Sequence, residues 1–355
     1  MRLVMSWIKE GAKLLLITVC LFLAVDFVTT WLYGARGFSQ FFVSSNIEGR
    51  HNKPGFSGGF GGIFDEFNGQ VNIGSSGERL SEPVSCENVV SKVLFIGDSL
   101  TAGFEVDDKE TFLSHFNNQC LTTKRSGTNF GVRAHDTHAV IGTYERVSSQ
   151  FLHDYVVYIM SQNDFEENMQ PSMYVNMTKR FGRRFEGEFI KPVDDLMWTT
   201  YASLRIFVSD RLSFTTFLIK QLERQTKASS VAVLKSTTDL EGQAQKAFDL
   251  IQQLSTMVTA NGAELIVIPD WSRNSDVNYN HNKKIKILSE LIVKNLGGVF
   301  YIDNMASLVD KKIQLDGKQL SEMHFRNDDH LSSYGHQIIS QVLLNIFQDL
   351  TSIDK

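Results

Sequence analysis

The sequence predicts an α/β domain: a parallel sheet covered by helices on both faces, with its reactive groups at the carboxyl ends of the strands. Three observations point there. Short apolar runs rich in β-branched residues alternate with longer amphipathic patterns, the order that a parallel sheet with crossover helices requires. The runs are uniformly apolar rather than alternating, as strands buried on both faces must be. The first of them, Val93 to Ile96, stops at Gly97-Asp98-Ser99-Leu100, which sets a hydroxyl one step past a strand end, where open parallel sheets collect their chemistry. The 355 residues, 42% hydrophobic and 11% aromatic, suffice for one large core or one core with a sizeable insertion.

From the N-terminus, Leu14 to Tyr33 is an apolar segment interrupted by Asp26, about the twenty residues that span a bilayer core as a helix. Arg2, Lys9 and Lys13 precede it, and Trp31 and Tyr33 close it. Residues 1–34 therefore read as a cytoplasmic tip and a single transmembrane signal anchor, which sends the rest of the chain to the periplasm or cell exterior. A cleavable signal peptide is the rival, although no clear Ala-x-Ala site is present. Residues 35–90 read as linker and lead-in. Gly34 to Gly69, rich in Gly, Phe and Ser, is either a flexible stalk or an irregular segment packing its Phe residues on the domain. Its densest part, Gly58 to Gly62, is no phosphate loop, because no Gly-Lys-Ser/Thr follows.

In the main domain, 91–355, the predicted strands are Val93 to Ile96, Thr128 to Val132, Tyr155 to Met160, Glu264 to Ile268 and Val299 to Ile302. The predicted helices include Thr137 to Phe151, Glu241 to Asn261 and Asn282 to Asn295, with Gly262 and Gly297 at expected helix stops. The spacing of Ile338, Ile339, Val342, Leu343, Ile346 and Phe347 predicts a last helix. Between Asn168 and Ser236 the alternation fails. This insertion, about 169–236, reads as a helical cap over the site or as helices packed on the flank; in the first case Arg180, Arg183 and Arg184 favour an anionic substrate.

A serine hydroxyl at neutral pH needs a base held by an acid, and donors for the oxyanion it creates. The sequence offers each at a strand or loop end. Asn327-Asp328-Asp329-His330 stands just before the last helix, Ser161-Gln162-Asn163-Asp164 follows the third strand, and Thr128-Asn129-Phe130-Gly131-Val132-Arg133-Ala134-His135 breaks into a polar loop. In this order the blocks resemble the SGNH or GDSL hydrolase superfamily over roughly Val93 to Leu350. The resemblance implies a three-layer αβα, flavodoxin-like fold with a five-stranded parallel sheet. It also implies Ser99 as nucleophile, His330 as general base and Asp328 as the residue that orients it. The oxyanion donors would be the Ser99 N–H, the Ala134 N–H and the Asn163 side chain, with Gly131 in reserve, since the family's glycine is Ala134 here. The family's better-known acid position is Asn327, so Asp328 is preferred and Asp329 ranks next. Asp98 and Asp164 read as loop-shaping residues. No Gly-x-Ser-x-Gly elbow competes.

The formal charge of −5 gives no reason to expect nucleic acid. Cys86 and Cys120 fall at two points of a βα unit that share one end of the sheet, so they read as a disulfide of an exported domain, with two unpaired thiols as the alternative. No metal or cofactor is expected: His135-x-x-His138 has no third ligand at a fixed spacing, and His336 reads as structural. Val71 to Arg79 resembles the lead-in of membrane-anchored bacterial members of the superfamily. The expectation is thus a membrane-anchored serine esterase acting on an ester-bearing substrate, an O-acetylated extracytoplasmic glycan by resemblance. An O-acetyltransferase, a lipid esterase or thioesterase, and a non-catalytic glycan-binding or assembly protein remain as alternatives.

Overall fold

The computed structural model describes residues 2–33, 41–45, 47–61, 66–82, 86, 88–169, 239–270, 275–326, 328 and 330–353. Its contacts divide the chain into two units, Met1–Phe41 with Ile190–Thr237, and Phe42–Phe189 with Thr238–Lys355. In the first, Arg2–Tyr33 forms one 32-residue helix, α1, on which Leu14, Leu15, Leu16, Ile17 and Leu21 are exposed. The described side chains of α1 stop at Val28, short of its end at Tyr33. Among the described residues no helix is long and apolar enough to cross a membrane, so the expected transmembrane helix is not found there. The cap insertion, with Arg180, Arg183 and Arg184, lies outside the described residues.

The second unit holds a five-stranded parallel sheet. Its strands are β5 (Ser91–Gly97), β6 (Arg125–Asn129), β7 (Tyr155–Met160), β8 (Glu264–Pro269) and β9 (Val299–Tyr301), in the spatial order β6-β5-β7-β8-β9. β5 lies between β6 and β7, so the order reverses beside β5, and the crevice at its carboxyl end is the topological switch point. Side chains alternate across the sheet. Leu94, Ile96, Val156, Tyr158, Leu265 and Val267 pack in one core with α5 (Thr137–Val147), α7 (Leu240–Ala260) and α8 (Ser275–Asn295). Val93, Phe95, Val157, Ile159, Ile266 and Ile268 pack in the other with α3 (Phe112–Asn118), α9 (Met305–Leu315) and α10 (Ser333–Ile353). Both faces are thus covered, which is why β5, β7 and β8 carry unbroken apolar runs.

Several elements differ from the sequence expectation: α5 stops at Val147 rather than Phe151, and α8 starts at Ser275 rather than Asn282. β6 ends at Asn129 rather than starting at Thr128, yet Phe130 N–H still donates to Phe95 O (2.8 Å) and Val132 N–H to Gly97 O (3.0 Å), so the chain follows β5 to its end. The Gly- and Phe-rich lead-in folds into two antiparallel hairpins, β1 (Phe42–Ser45) with β2 (Gly49–Asn52) and β3 (Ser57–Gly61) with β4 (Asn68–Asn72). Their aromatic residues dock on the loops above the sheet: Phe42 and Phe60 lie 6.1 and 5.6 Å from the Phe104 ring, and Phe67 lies 5.2 Å from Phe325. Cys86 and Cys120 are joined in a disulfide, Cα atoms 5.9 Å apart, tying the approach to β5 to α4 (Cys120–Thr123).

Candidate active site

β5 ends at Gly97, whose φ of +155° and crowding leave no space for a side chain: a Cβ there would sit 2.2 Å from Thr101 Oγ1 and 2.7 Å from Ile159 O. That turn delivers Asp98 as the N-cap of α2 (Ser99–Ala102), its carboxylate accepting from the Leu100 N–H (2.9 Å). Asp98 is therefore the loop-shaping residue expected, and capping leaves Ser99 as the first helical residue. Ser99 is half-buried, and its Oγ donates to Asp98 Oδ2 (3.4 Å) rather than to an imidazole.

His330 stands in the loop closed by a bridge between His324 and Leu331, just before α10. Its ring Nδ1 is hydrogen-bonded to Asp328 Oδ1, which also accepts the His330 backbone N–H (2.9 Å). Burial tends to raise the Asp328 carboxyl, but the hydrogen bond and charge of His330, its backbone N–H and the charge of Arg133 outweigh that and hold it at about 2. An ionised Asp328 can only accept, so Nδ1 is the donor in this pair, and in the neutral imidazole the lone pair lies on Nε2. Nε2 makes no hydrogen bond among the described residues. The acid and base expected from the sequence are thus together, whereas Ser99 and His330 form no hydrogen bond with each other.

The residues expected to donate to an oxyanion come from neighbouring strand ends. Gly97 pairs with Ile159 across β5 and β7, so Ser99 and Asn163 leave adjacent strands, while Val132 bonds to Gly97 on the other side. Ala134 is exposed and has a φ of +54°, unusual for a residue with a side chain. Neither its N–H nor that of Ser99 has an acceptor among the described residues. Gly131, held in reserve above, is excluded: its N–H donates to Asn129 Oδ1 (2.7 Å). Its role is steric, since a Cβ would lie 2.4 Å from Ala102 N. Asn163 is exposed beside α6 (Asp164–Glu167). Asp164 shapes that turn, accepting from Ser161 N–H (2.9 Å) and Tyr158 OH (2.8 Å), and burial followed by the charge of Asp98 pushes its carboxyl well above the usual range. Asp270 holds the turn from β8, accepting the Gln162 N–H (2.9 Å). A cavity of 390 Å³ at the ends of β8 and β9, lined by Asp270, Lys286, Asp303 and Asp310, adjoins through that contact.

Several residues of this site carry no sequence signal. Arg50 of β2 bonds to Arg133 O, and Asn52 donates to Gly131 O (2.9 Å) and Gly77 O (3.1 Å), so the first hairpin braces the loop that presents Ala134. Arg133 is ion-paired with Glu105; burial lowers it to about 10 against the opposing charges of Asp328 and Asp98, so it stays a cation at neutral pH. His135 spends its ring on Arg50 O (2.8 Å) and Thr143 Oγ1 (3.3 Å), and His336 Nδ1 accepts the Phe112 N–H (3.2 Å). Both are buried structural histidines. Among the described residues no group of three side chains could hold a metal ion.

A serine at a strand end, an imidazole held by a carboxylate, and N–H groups without an acceptor among the described residues are the kinds of part that a serine-nucleophile hydrolase needs. No family model matches the chain, and no curated protein does. Among solved structures it is similar to a protein assigned to the G-D-S-L lipolytic family from Desulfitobacterium hafniense, at 12% identity and a TM-score of 0.40, over 72% of this chain and 99% of that one. It is also similar to an esterase from Pseudoalteromonas sp. at 8% identity and a TM-score of 0.41, over 74% and 99%. A catalytic mutant of an acetylxylan esterase from Geobacillus stearothermophilus is similar at 11% and 0.40, over 74% and 95%. At these values the likenesses decide nothing about chemistry, which rests on the side chains themselves.

Proposed function

We propose that this protein is a serine esterase of the SGNH type, with Ser99 as nucleophile, His330 as general base and Asp328 as its orienting acid. The observation that carries the reading is the Asp328–His330 pair, which fixes the proton on Nδ1 and leaves Nε2 as a base. Nε2 would take the Ser99 proton as Oγ attacks the ester carbonyl. The Ser99 and Ala134 N–H groups and the Asn163 amide would hold the oxyanion. His330 would then return its proton to the leaving alcohol, and water, activated by the same Nε2, would release the acyl group.

The substrate we propose is an O-acetyl ester on an extracytoplasmic glycan, and we place the protein at the membrane through residues 14–33. Export is supported by the Cys86–Cys120 disulfide, which belongs to an oxidising compartment. The anchor is supported by the apolar run from Leu14 and the basic residues before it. The glycan is supported by the resemblance of the lead-in to anchored members of the superfamily.

The test is labelling of the full chain with a fluorophosphonate serine probe, alongside Ser99→Ala and His330→Ala. Labelling that disappears in both variants establishes the activated serine, and release of acetate from acetylated polysaccharide then tests the substrate. A folded wild-type protein that takes no label overturns the esterase reading in favour of a binding or assembly role.

A further inference from the structure

A buried carboxylate lies beside the catalytic imidazole with no part in the triad. Glu105 is only 2% exposed, and its Oε1 stands 3.6 Å from His330 Nδ1, on the nitrogen that Asp328 already holds. Taking a carboxylate out of water is costly unless it is paired, and Arg133 supplies the pairing at the same oxygen. The loop around Glu105 is fixed on both sides. Arg79, itself fully buried, donates to Gly103 O (3.1 Å) and Val106 O (2.9 Å), and Phe104 is packed by Phe42 and Phe60. The Arg133 guanidinium is held in turn 4.8 Å over the Phe60 ring. Glu105 is therefore a rigid acceptor, and a small tilt of the His330 ring closes the remaining gap.

That tilt has an occasion. In the resting arrangement Ser99 Oγ is turned to Asp98, so forming the Ser99–His330 hydrogen bond requires the serine, the ring or both to turn. We propose that Glu105 is a second positioning acid for His330, accepting the Nδ1 proton when the ring leaves Asp328. The proposal rests on the reading of His330 as the base. Arg133 would then do two things: it pairs with Glu105 and holds it in place, and it couples the His330 loop to the backbone that presents Ala134. Among the described residues, the charged and titratable groups that face the ring include Asp328 on its own loop, Glu105 from the segment after β5 and His336 of α10, with Arg133 of the Ala134 loop paired to Glu105 and acting on Asp328.

The experiment compares wild type, Asp328→Ala, Glu105→Gln and the double variant in the full chain. Glutamine keeps an oxygen for Arg133, and Glu105→Gln/Arg133→Met removes the ion pair altogether as a control for loop distortion. Two readouts are taken: the rate of fluorophosphonate labelling at Ser99, and the downfield proton resonance of the His330 ring N–H, assigned by its loss in His330→Ala. Asp328→Ala is expected to keep the resonance, shifted, and a reduced labelling rate. The double variant is expected to lose the resonance and slow labelling by roughly a further tenfold, the size of coupling seen between residues in contact. Loss of the resonance in Asp328→Ala alone, or an equal effect of Glu105→Gln with and without Asp328, overturns the proposal. If wild type takes no label the esterase reading fails, and the resonance still decides the role of Glu105.

Discussion

Glu48 joins the first hairpin to α5 and offers the most quantitative perturbation in the molecule. It is 1% exposed, accepts from Thr143 Oγ1 (2.6 Å) and Arg146 Nε, and lies 3.1 Å from His51 Nδ1. Burial alone would raise its carboxyl, but the His51 hydrogen bond, then the charge and hydrogen bond of Arg146 and the Thr143 hydroxyl reverse this and bring it from 4.5 to about 2. That difference corresponds to about 3 kcal/mol of preference for the ionised form in the folded chain. Loss of one partner from a buried ion pair costs about 3 to 5 kcal/mol, so the two scales agree. Glu48→Gln is therefore expected to destabilise the protein by about 3 kcal/mol at about pH 7. Because the folded value is depressed, the contribution is complete above about 4.5 and disappears as the pH falls toward about 2. The gap between wild type and variant should thus be the same at about pH 7 and pH 5.5, shrink through about pH 4 and vanish near pH 2. Burial also holds His135 neutral, at about 3, which weakens both proteins as the pH falls below 6.5 and so largely cancels in the comparison. Urea unfolding followed by far-ultraviolet circular dichroism measures the gap. A value under about 1 kcal/mol at neutral pH, or one unchanged near pH 3, refutes the reasoning.

Three further outcomes are expected. Asn52→Ala strips the buried donors from Gly131 O and Gly77 O; it should cost about 1 to 3 kcal/mol in urea unfolding and slow serine labelling, because the brace on the Ala134 loop is lost. Removing the disulfide with Cys86→Ser and Cys120→Ala opens a loop of sequence separation 34 and should lower stability by about 3 to 4 kcal/mol, read by the same unfolding. Asp164, whose carboxyl is pushed well above the usual range by burial, should tolerate Asp164→Asn better than Asp164→Leu, which removes the acceptor of the Ser161 N–H and one of the two partners of the Tyr158 OH and should cost about 1 to 3 kcal/mol in urea unfolding; equal costs for the two variants would refute the raised value.

What the sequence disclosed follows a physical division. β5, β7 and β8 are buried on both faces, so their apolar runs mark them within a residue or two. β6 is an edge strand of sequence Arg-Ser-Gly-Thr-Asn, and the apolar Phe130 and Val132 that drew the assignment lie just past it, still bonded to β5. The hairpins were unreadable because Gly49–Asn52 and Ser57–Gly61 carry almost no apolar periodicity; they are held by Phe rings reaching loops far along the chain and by Asn52 and Arg50. The same division applies in the site. Ser99, Asp328 and His330 sit in local blocks of two or three adjacent residues, so the blocks stand out in the sequence and the superfamily resemblance could be laid on them residue by residue. Glu105, Arg133 and Asn52 act across separations that only the fold closes: a buried Arg133–Glu105 pair joins the segment after α2 to the Ala134 loop, and Glu105 in turn reaches the His330 loop. The residues proposed to react are therefore legible one at a time, while Glu105, Arg133 and Asn52, which tie their loops together, become visible only once three distant segments meet.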